Sequence, residues 1–282
     1  LRDRDFALPK TSSIGAAAIA VLLTADASAK ADLAQEIGVA WSAGDLSFDF
    51  EGTHVPDRPA RPANPELLLP RDMPRRRAGG EKGRFALLHS LAHIELNAID
   101  LAFDMVARFG RGQPREFVSD WVQVGAEEGK HFNLLNARLQ VLSGTYGDLP
   151  AHDGLWDAAF STRNDFLARL AVVPMVLEAR GLDVTPAMIE KLIRVGDQES
   201  ADILAIIYED EKGHVAAGSR WFSSEISAQG LDAEATFHDL VRRYFRGDLK
   251  RPFNDAARAA AGLDPALYEP LANRPKDPQA DV

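Results

Sequence analysis

From Phe85 to Phe109, apolar side chains recur at Leu88, Leu91, Ala92, Ala98, Ile99, Ala102, Met105 and Val106, the period of a helix with one buried face. The same period returns in three further long stretches. One runs from about Pro114 to Leu142 with Trp121, Val124, Leu135 and Leu142 on its inner stripe. A third begins at a Ser161 or Thr162 cap and reaches about Gly181, and a fourth runs from Asp197 to about Ala228. Nothing resembles a run of strands. Four long amphipathic helices predict an all-α bundle.

The remaining segments read as additions to that bundle. Residues 12–25 and 28–43 form two short lead-in helices, the second capped by Ser28 and stopped by Gly44. Between Gly52 and Gly83, six prolines (Pro56, Pro59, Pro62, Pro65, Pro70, Pro74) alternate with Arg58, Arg61, Arg71, Arg75, Arg76 and Arg77. Prolines at that density forbid a helix or a central strand, so this is an extended strap or arm. Trp156 belongs to a short connecting helix, and Pro186 to Val195 is a short piece before the fourth long helix. Ala233 to Arg246 and Asn254 to Ala261 are further helical pieces. The expected organisation is one structural domain: a lead-in at 1–50, the Pro/Arg-rich segment at 51–83, the bundle at 84–230 and a helical extension with tail at 231–282.

The N-terminus has Arg2, Arg4 and Lys10 before an apolar run from Ile14 to Leu23, and Ala27-Ser28-Ala29 resembles a signal-peptidase site. Asp3 and Asp5 cancel the positive charge, so the expectation is an ordinary Ala-rich first helix and a cytoplasmic protein. No run reaches the roughly 18 apolar residues of a membrane span. The net charge of −10 argues against binding nucleic acid or an anionic membrane over the whole surface, and leaves room for a local basic patch.

Four carboxylates occupy positions where the inner stripes should be apolar. Glu95 lies between Leu91/Ala92 and Ala98/Ile99. Glu128 and His131, three apart, stack on one face of the second helix, and Glu211 and His214 repeat that pattern on the fourth. Glu178 follows Ala171, Pro174 and Met175 on the third. Buried, unpaired carboxylates cost several kcal/mol each or neutralise themselves, so four of them need a compensating cation. The chain contains no cysteine, which excludes disulfides, iron–sulfur clusters and thiolate zinc. Any metal must be held by oxygen and nitrogen.

The spacing supports this reading. Glu95 to Glu128 and Glu178 to Glu211 both span 33 residues. In the first pair the chain rises roughly 20 Å beyond Glu95, turns at Gly110 to Gln113 and descends roughly 20 Å, returning both carboxylates to one level. The second pair is less regular, because Gly181 and Pro186 are expected to interrupt the third helix. One Glu from each of two helices plus Glu-x-x-His from each of the other two is the ligand set of ferritin-like di-iron and di-manganese proteins. The expected cofactor is a pair of metal ions, iron first, with manganese or a mixed Fe/Mn pair as alternatives.

Each Glu-x-x-His has an acid just before it, Glu127 and Asp210. Either can accept the free N–H of a ligand imidazole on a neighbouring helix or stand as a solvated charge. Tyr208, three before Glu211, is a candidate redox or hydrogen-bonding group, with plain core packing as the alternative. His89 and His93 point off the Glu95 stripe, toward the lead-in helices or the Pro/Arg segment. His54, His152 and His238 have no partner spacing. The arginine segment reads as a strap that neutralises the acidic bundle, or alternatively as a phosphate or RNA contact.

The stretches LLHSLAHIELNAIDLAFDMVARF, DWVQVGAEEGKHFNLLNARLQ, YGDLPAHDGLW, LEARGLDVTP and DEKGHVAAGSRWF, together with the strap RPANPELLLPRDMPRRR, resemble an uncharacterised bacterial ferritin-like family catalogued as a domain of unknown function. That family is distantly similar to tRNA hydroxylases that oxidise a hypermodified adenosine. The resemblance covers roughly residues 15 to 265. It implies a ferritin-like bundle with a dinuclear site at Glu95, Glu128, His131, Glu178, Glu211 and His214, and supplies no substrate. Met175 and Lys212 stand where the resemblance leads one to expect an arginine and an apolar residue.

Three functions are open on these grounds. The first is an O2-dependent di-iron oxidoreductase that hydroxylates or similarly oxidises a small molecule, served by an electron-donor protein. The second is a non-catalytic metal-storage or oxidant-scavenging protein. The third, a minority version of the first, is an RNA-directed hydroxylase using the arginine strap.

Overall fold

The computed structural model describes residues 13–74 and 80–272, and these are helical apart from loops and isolated bridges. The chain divides into two compact units, Leu1–Trp156 and Asp157–Val282. Arg75, Arg76 and Arg77 of the strap, and the charged residues before the first helix, lie outside the described residues.

In the first unit, α1 (Ile14–Leu23) starts where the Ser13 side chain accepts from Ala16 N–H at 3.2 Å. α2 (Ala27–Ala43) is capped by Asp26, whose Oδ1 accepts from Ala29 N–H at 2.8 Å, and not by Ser28. Asp26 outcompetes Ser28 because its charged acceptor meets the helix start two residues earlier. Gly44 ends the helix in the left-handed conformation, φ 79°, as the sequence predicted.

Among its described residues the strap then runs extended, with a 3₁₀ turn at Pro70–Asp72. It is tied down by Leu68 N–H to Ala151 O at 2.8 Å and Ala151 N–H to Glu66 O at 2.9 Å. α3 (Gly80–Phe109) and α4 (Arg115–Val141) form an antiparallel hairpin around Gly110–Pro114. α2 lies along α4 and α1 along α3. Every residue from Glu95 to Ala107 is buried, so this half of α3 is the centre of the unit.

A short helix, α5 (Gly154–Ser161), spans the boundary between the units. In the second unit, Asp165, not Ser161 or Thr162, caps α6 (Phe166–Val172), accepting from Ala168 N–H at 2.9 Å. A π-helical turn, Val173–Glu178, leads directly into α7 (Ala179–Arg194).

The expected interruptions at Gly181 and Pro186 are absent; both residues lie inside α7, which continues through the segment read as a separate Pro186–Val195 piece. The reason is local. Pro186 has no N–H to give the carbonyl four residues back, and that carbonyl, Leu182 O, instead accepts from Asn254 Nδ2 at 3.1 Å. α8 (Gln198–Gln229) follows, capped by Asp197 and ended by Gly230. α9 (Ala233–Tyr244), α10 (Asp255–Ala260) and α11 (Pro265–Tyr268) close the unit. Among the described residues no helix is long and apolar enough to cross a membrane.

Candidate metal centre

The α3–α4 hairpin brings Glu95 and Glu128 to one level, as the spacing required. His131 Nδ1 lies 3.3 Å from Glu95 Oε2 and 3.4 Å from Glu128 Oε2. A ligand atom from each of the three lies within 4.8 Å of the others. Glu95 is 3% exposed, and Glu128 and His131 are fully buried. Around them are Ala92, Ala98, Ile99, Trp121 and Val124, all buried.

Water therefore cannot solvate these carboxylates, and His131 is the side chain that faces them both. Glu95 Oε2 is buried with no completed hydrogen bond. Burial raises the Glu95 pKa well above the ordinary carboxylate value, and the negative charge of Glu128 adds to this, partly offset by His131. A divalent cation would relieve both causes.

Close helix approach holds the cluster in place. A Cβ on Gly129, beside Glu128, would lie 2.6 Å from the backbone oxygen of Ala31, so only glycine lets α2 lie this close to α4.

In the second unit, His214 Nδ1 lies 3.7 Å from Glu211 Oε1 on the same face of α8. His214 is 1% exposed and Glu211 retains 12% side-chain exposure. The buried Glu211 Oε2 has no hydrogen-bond partner. Glu178, half-buried, is the last residue of the π turn, where Ala179 N–H reaches back five residues to Pro174 O. Such a widened turn re-aims the side chains that follow it. Gly218 accommodates it: a Cβ there would meet Pro174 Cβ at 2.4 Å.

The flanking candidates differ. Glu127 is half-buried and accepts from Gln123 Nε2 at 2.7 Å on its own helix. Asp210 is half-buried. The Tyr208 hydroxyl accepts from Asn254 Nδ2 at 3.0 Å, and Lys212 Nζ sits 4.5 Å over its ring while pairing with Glu209 at 2.7 Å. Met175 is fully buried.

His89 and His93 bond to the loop at residues 144–152, and the strap's Arg61 also acts on His93. His89 Nε2 accepts from Gly147 N–H at 2.9 Å. His93 Nε2 lies 3.1 Å from both the His152 carbonyl and Asn97 Nδ2, and Nδ1 lies 2.9 Å from the Tyr146 hydroxyl. Burial pushes the His93 pKa down to about 4, so the ring is neutral at pH 7. His238 Nε2 donates to Ala266 O at 3.0 Å.

Sequence reasoning missed a buried ionic cluster on the same helix. Asp100 meets Lys30 Nζ at 2.5 Å and Arg61 Nη1 at 2.8 Å, and both Lys30 and Asp100 are within 1% of full burial. Arg61 also reaches Asn97 Oδ1 at 2.5 Å and Asp153 Oδ1 at 3.4 Å, and Arg58 pairs with Asp153. The strap's described inner arginines thus neutralise carboxylates of the helices and of the 151–153 loop. The available signal was Asp100 between the apolar pairs Ala98-Ile99 and Leu101-Ala102.

Residues 23–269 match the family model described as protein of unknown function (DUF455). The chain belongs to this family. It is also 44% identical over 210 residues to an uncharacterized protein of Haemophilus influenzae, a match covering 72% of this chain and 73% of that one. No solved structure matches. Family membership supplies no activity, so the functional reading rests on the residues.

Proposed function

We propose that this protein is a ferritin-like dimetal carboxylate oxidoreductase. The residues proposed as metal ligands are Glu95, Glu128, His131, Glu178, Glu211 and His214. The donor set of four carboxylates and two imidazoles fits iron, or a mixed Fe/Mn pair, because both favour oxygen and nitrogen ligands and the four acids balance two divalent charges. The observation that carries the reading is the Glu95–Glu128–His131 cluster, two buried carboxylates facing one imidazole.

A bound Fe(II) pair would supply the electrons that activate O2 for hydroxylation, or a similar oxidation, of a small molecule. The chain's own contribution is distinct. Trp121, Val124, Ala98 and Ile99 exclude water around Glu95 and Glu128, and the α3–α4 hairpin fixes the carboxylates and His131 at one level. A separate electron-donor protein would return the centre to its reduced state. Arg61 is engaged inward with Asp100 and the half-exposed Arg58 pairs with Asp153, which favours the strap as a structural cover over an RNA contact.

The test is to add Fe(II) and then O2 to metal-free protein. O2 uptake with a new optical band is expected. A featureless spectrum without uptake would overturn the oxidoreductase assignment.

A further inference from the structure

We infer that the open end of the α3–α4 hairpin is a binding site for an uncharged, largely aromatic small molecule. The site lies wholly within the first unit, and nothing in it depends on bound metal.

A cavity of about 840 Å³ opens where the start of α3, the end of α4 and the loop at residues 144–150 meet. That volume falls within the roughly 300–1,000 Å³ over which pockets enclose small molecules. Phe85 on its wall precedes Glu95 by ten residues, which places the cavity roughly 15 Å along α3 from the carboxylate cluster.

The walls are Phe85 and Ala86 of α3, Val141 and Leu142 at the end of α4, and Leu149 and Pro150 of the loop. Of these, Ala86 is buried, Phe85, Leu142, Leu149 and Pro150 are half-buried, and Val141 is 69% exposed. Single exposed apolar side chains are ordinary, but several converging on one concave surface leave apolar area for a ligand to cover.

This surface is fixed before any ligand arrives. The Phe85 ring fills the place of a side chain at Gly144, where a Cβ would lie 2.3 Å from the ring's Cε2. The fully buried His89 accepts at Nε2 from Gly147 N–H at 2.9 Å and Leu149 N–H at 3.4 Å, which holds the loop. Thr145 N–H donates to Asp148 Oδ2 at 2.8 Å within it. Walls held in this way lose little further freedom on binding.

Two features select the ligand. The Phe85 ring lies 6.1 Å from the His89 ring, which stacks on Tyr146 at 5.4 Å, so the wall is the end of an aromatic column that another ring can extend. Glu81 and Asp148 set two carboxylates against the single ammonium of Lys82 on the lining, so an acidic ligand is repelled. Both carboxylates are exposed, so a cation gains little from them.

Fluorescence titration of the full-length protein with N-phenylnaphthylamine, an uncharged dye that brightens in apolar surroundings, tests this, with anilinonaphthalene sulfonate as its acidic counterpart. One saturable site per chain is expected for the uncharged dye, and at least about tenfold weaker binding of the sulfonate. Val141→Asp should weaken the uncharged dye at least about tenfold, because it sets a charge against an apolar ligand. Val39→Asp, at a 71% exposed position on α2 outside the cavity, should leave binding unchanged. If Val141→Asp loses the wild-type circular dichroism, Leu149→Asn carries the same comparison. Absence of a saturable site, undiminished binding in the folded cavity variant, equal weakening by Val39→Asp, or a sulfonate bound as tightly as the uncharged dye overturns the inference.

Discussion

Replacing Asp100 by asparagine keeps the side-chain shape and removes one charge from the most deeply buried ionic cluster described in the first unit. Asp100 faces Lys30 at 2.5 Å and Arg61 at 2.8 Å, and its side chain is 0% exposed against 1% for Lys30 and 12% for Arg61. Burial lowers the Lys30 pKa and raises that of Asp100, and each charge is sustained mainly by the other. Without the carboxylate charge, Lys30 keeps only neutral acceptors, the Ala60 carbonyl at 3.0 Å and the substituted amide oxygen, and must stay charged in an apolar site or give up its proton. Breaking one side of such a pair costs about 3–5 kcal/mol. At roughly 2–4 °C per kcal/mol for a domain of this size, the thermal midpoint should fall by about 6–20 °C.

The double variant Lys30→Met/Asp100→Asn removes the stranded charge as well, and should recover at least half of the loss, because Arg61 retains Asn97 and Asp153. Thermal and urea unfolding of the metal-free proteins measure both quantities. Asp100→Asn within about 1 kcal/mol of wild type, or a double variant no better than the single, would refute the claim that this cluster is a mutually dependent buried pair.

The site and its supports give further expectations. Glu95→Gln removes a carboxyl whose pKa is raised by burial and by Glu128, so the metal-free variant should be as stable as wild type or more so. It should also lose most of the metal-induced stabilisation, about 2.7 kcal/mol at a hundredfold excess over Kd, measured by thermal shift with and without Fe(II) or Mn(II). A full metal-induced shift in the variant would contradict this. Gly129→Ala places a Cβ 2.6 Å from the Ala31 backbone oxygen, so α2 must move; a loss of about 1–3 kcal/mol is expected in urea unfolding, and an unchanged midpoint would contradict it. Arg258→Ala removes a guanidinium that donates to both Asp183 oxygens, at 2.8 and 2.7 Å, and lies between Phe253 and Tyr268 at 4.7 and 4.5 Å. With Asp183 left buried, a loss of about 3–5 kcal/mol is expected by the same assay, and a loss below about 1 kcal/mol would contradict it.

Helix periodicity made much of the fold legible. The α3–α4 hairpin, its turn at Gly110–Pro114 and the meeting of Glu95 with Glu128 and His131 follow from apolar spacing and rise per residue. The errors were made where a local signal met a distant partner. Pro186 looked like a helix break because the sequence does not show that Asn254, far along the chain, satisfies the freed Leu182 carbonyl. The Lys30–Asp100–Arg61 cluster was missed for the same reason: each residue alone resembles a solvated charge, and only the folded chain brings α2, the strap and α3 together. His93 was recognised as off the Glu95 stripe, yet its partners, Tyr146 and the His152 carbonyl, lie in a loop whose path no periodicity describes.

The central claim is that buried carboxylates and imidazoles hold metal, and elemental analysis of the protein purified after iron supplementation addresses it directly, with Glu128→Ala as the comparison. The account predicts about two iron or manganese ions per wild-type chain and less than about one in the variant. Wild-type protein free of metal, or a variant carrying as much as wild type, would contradict it.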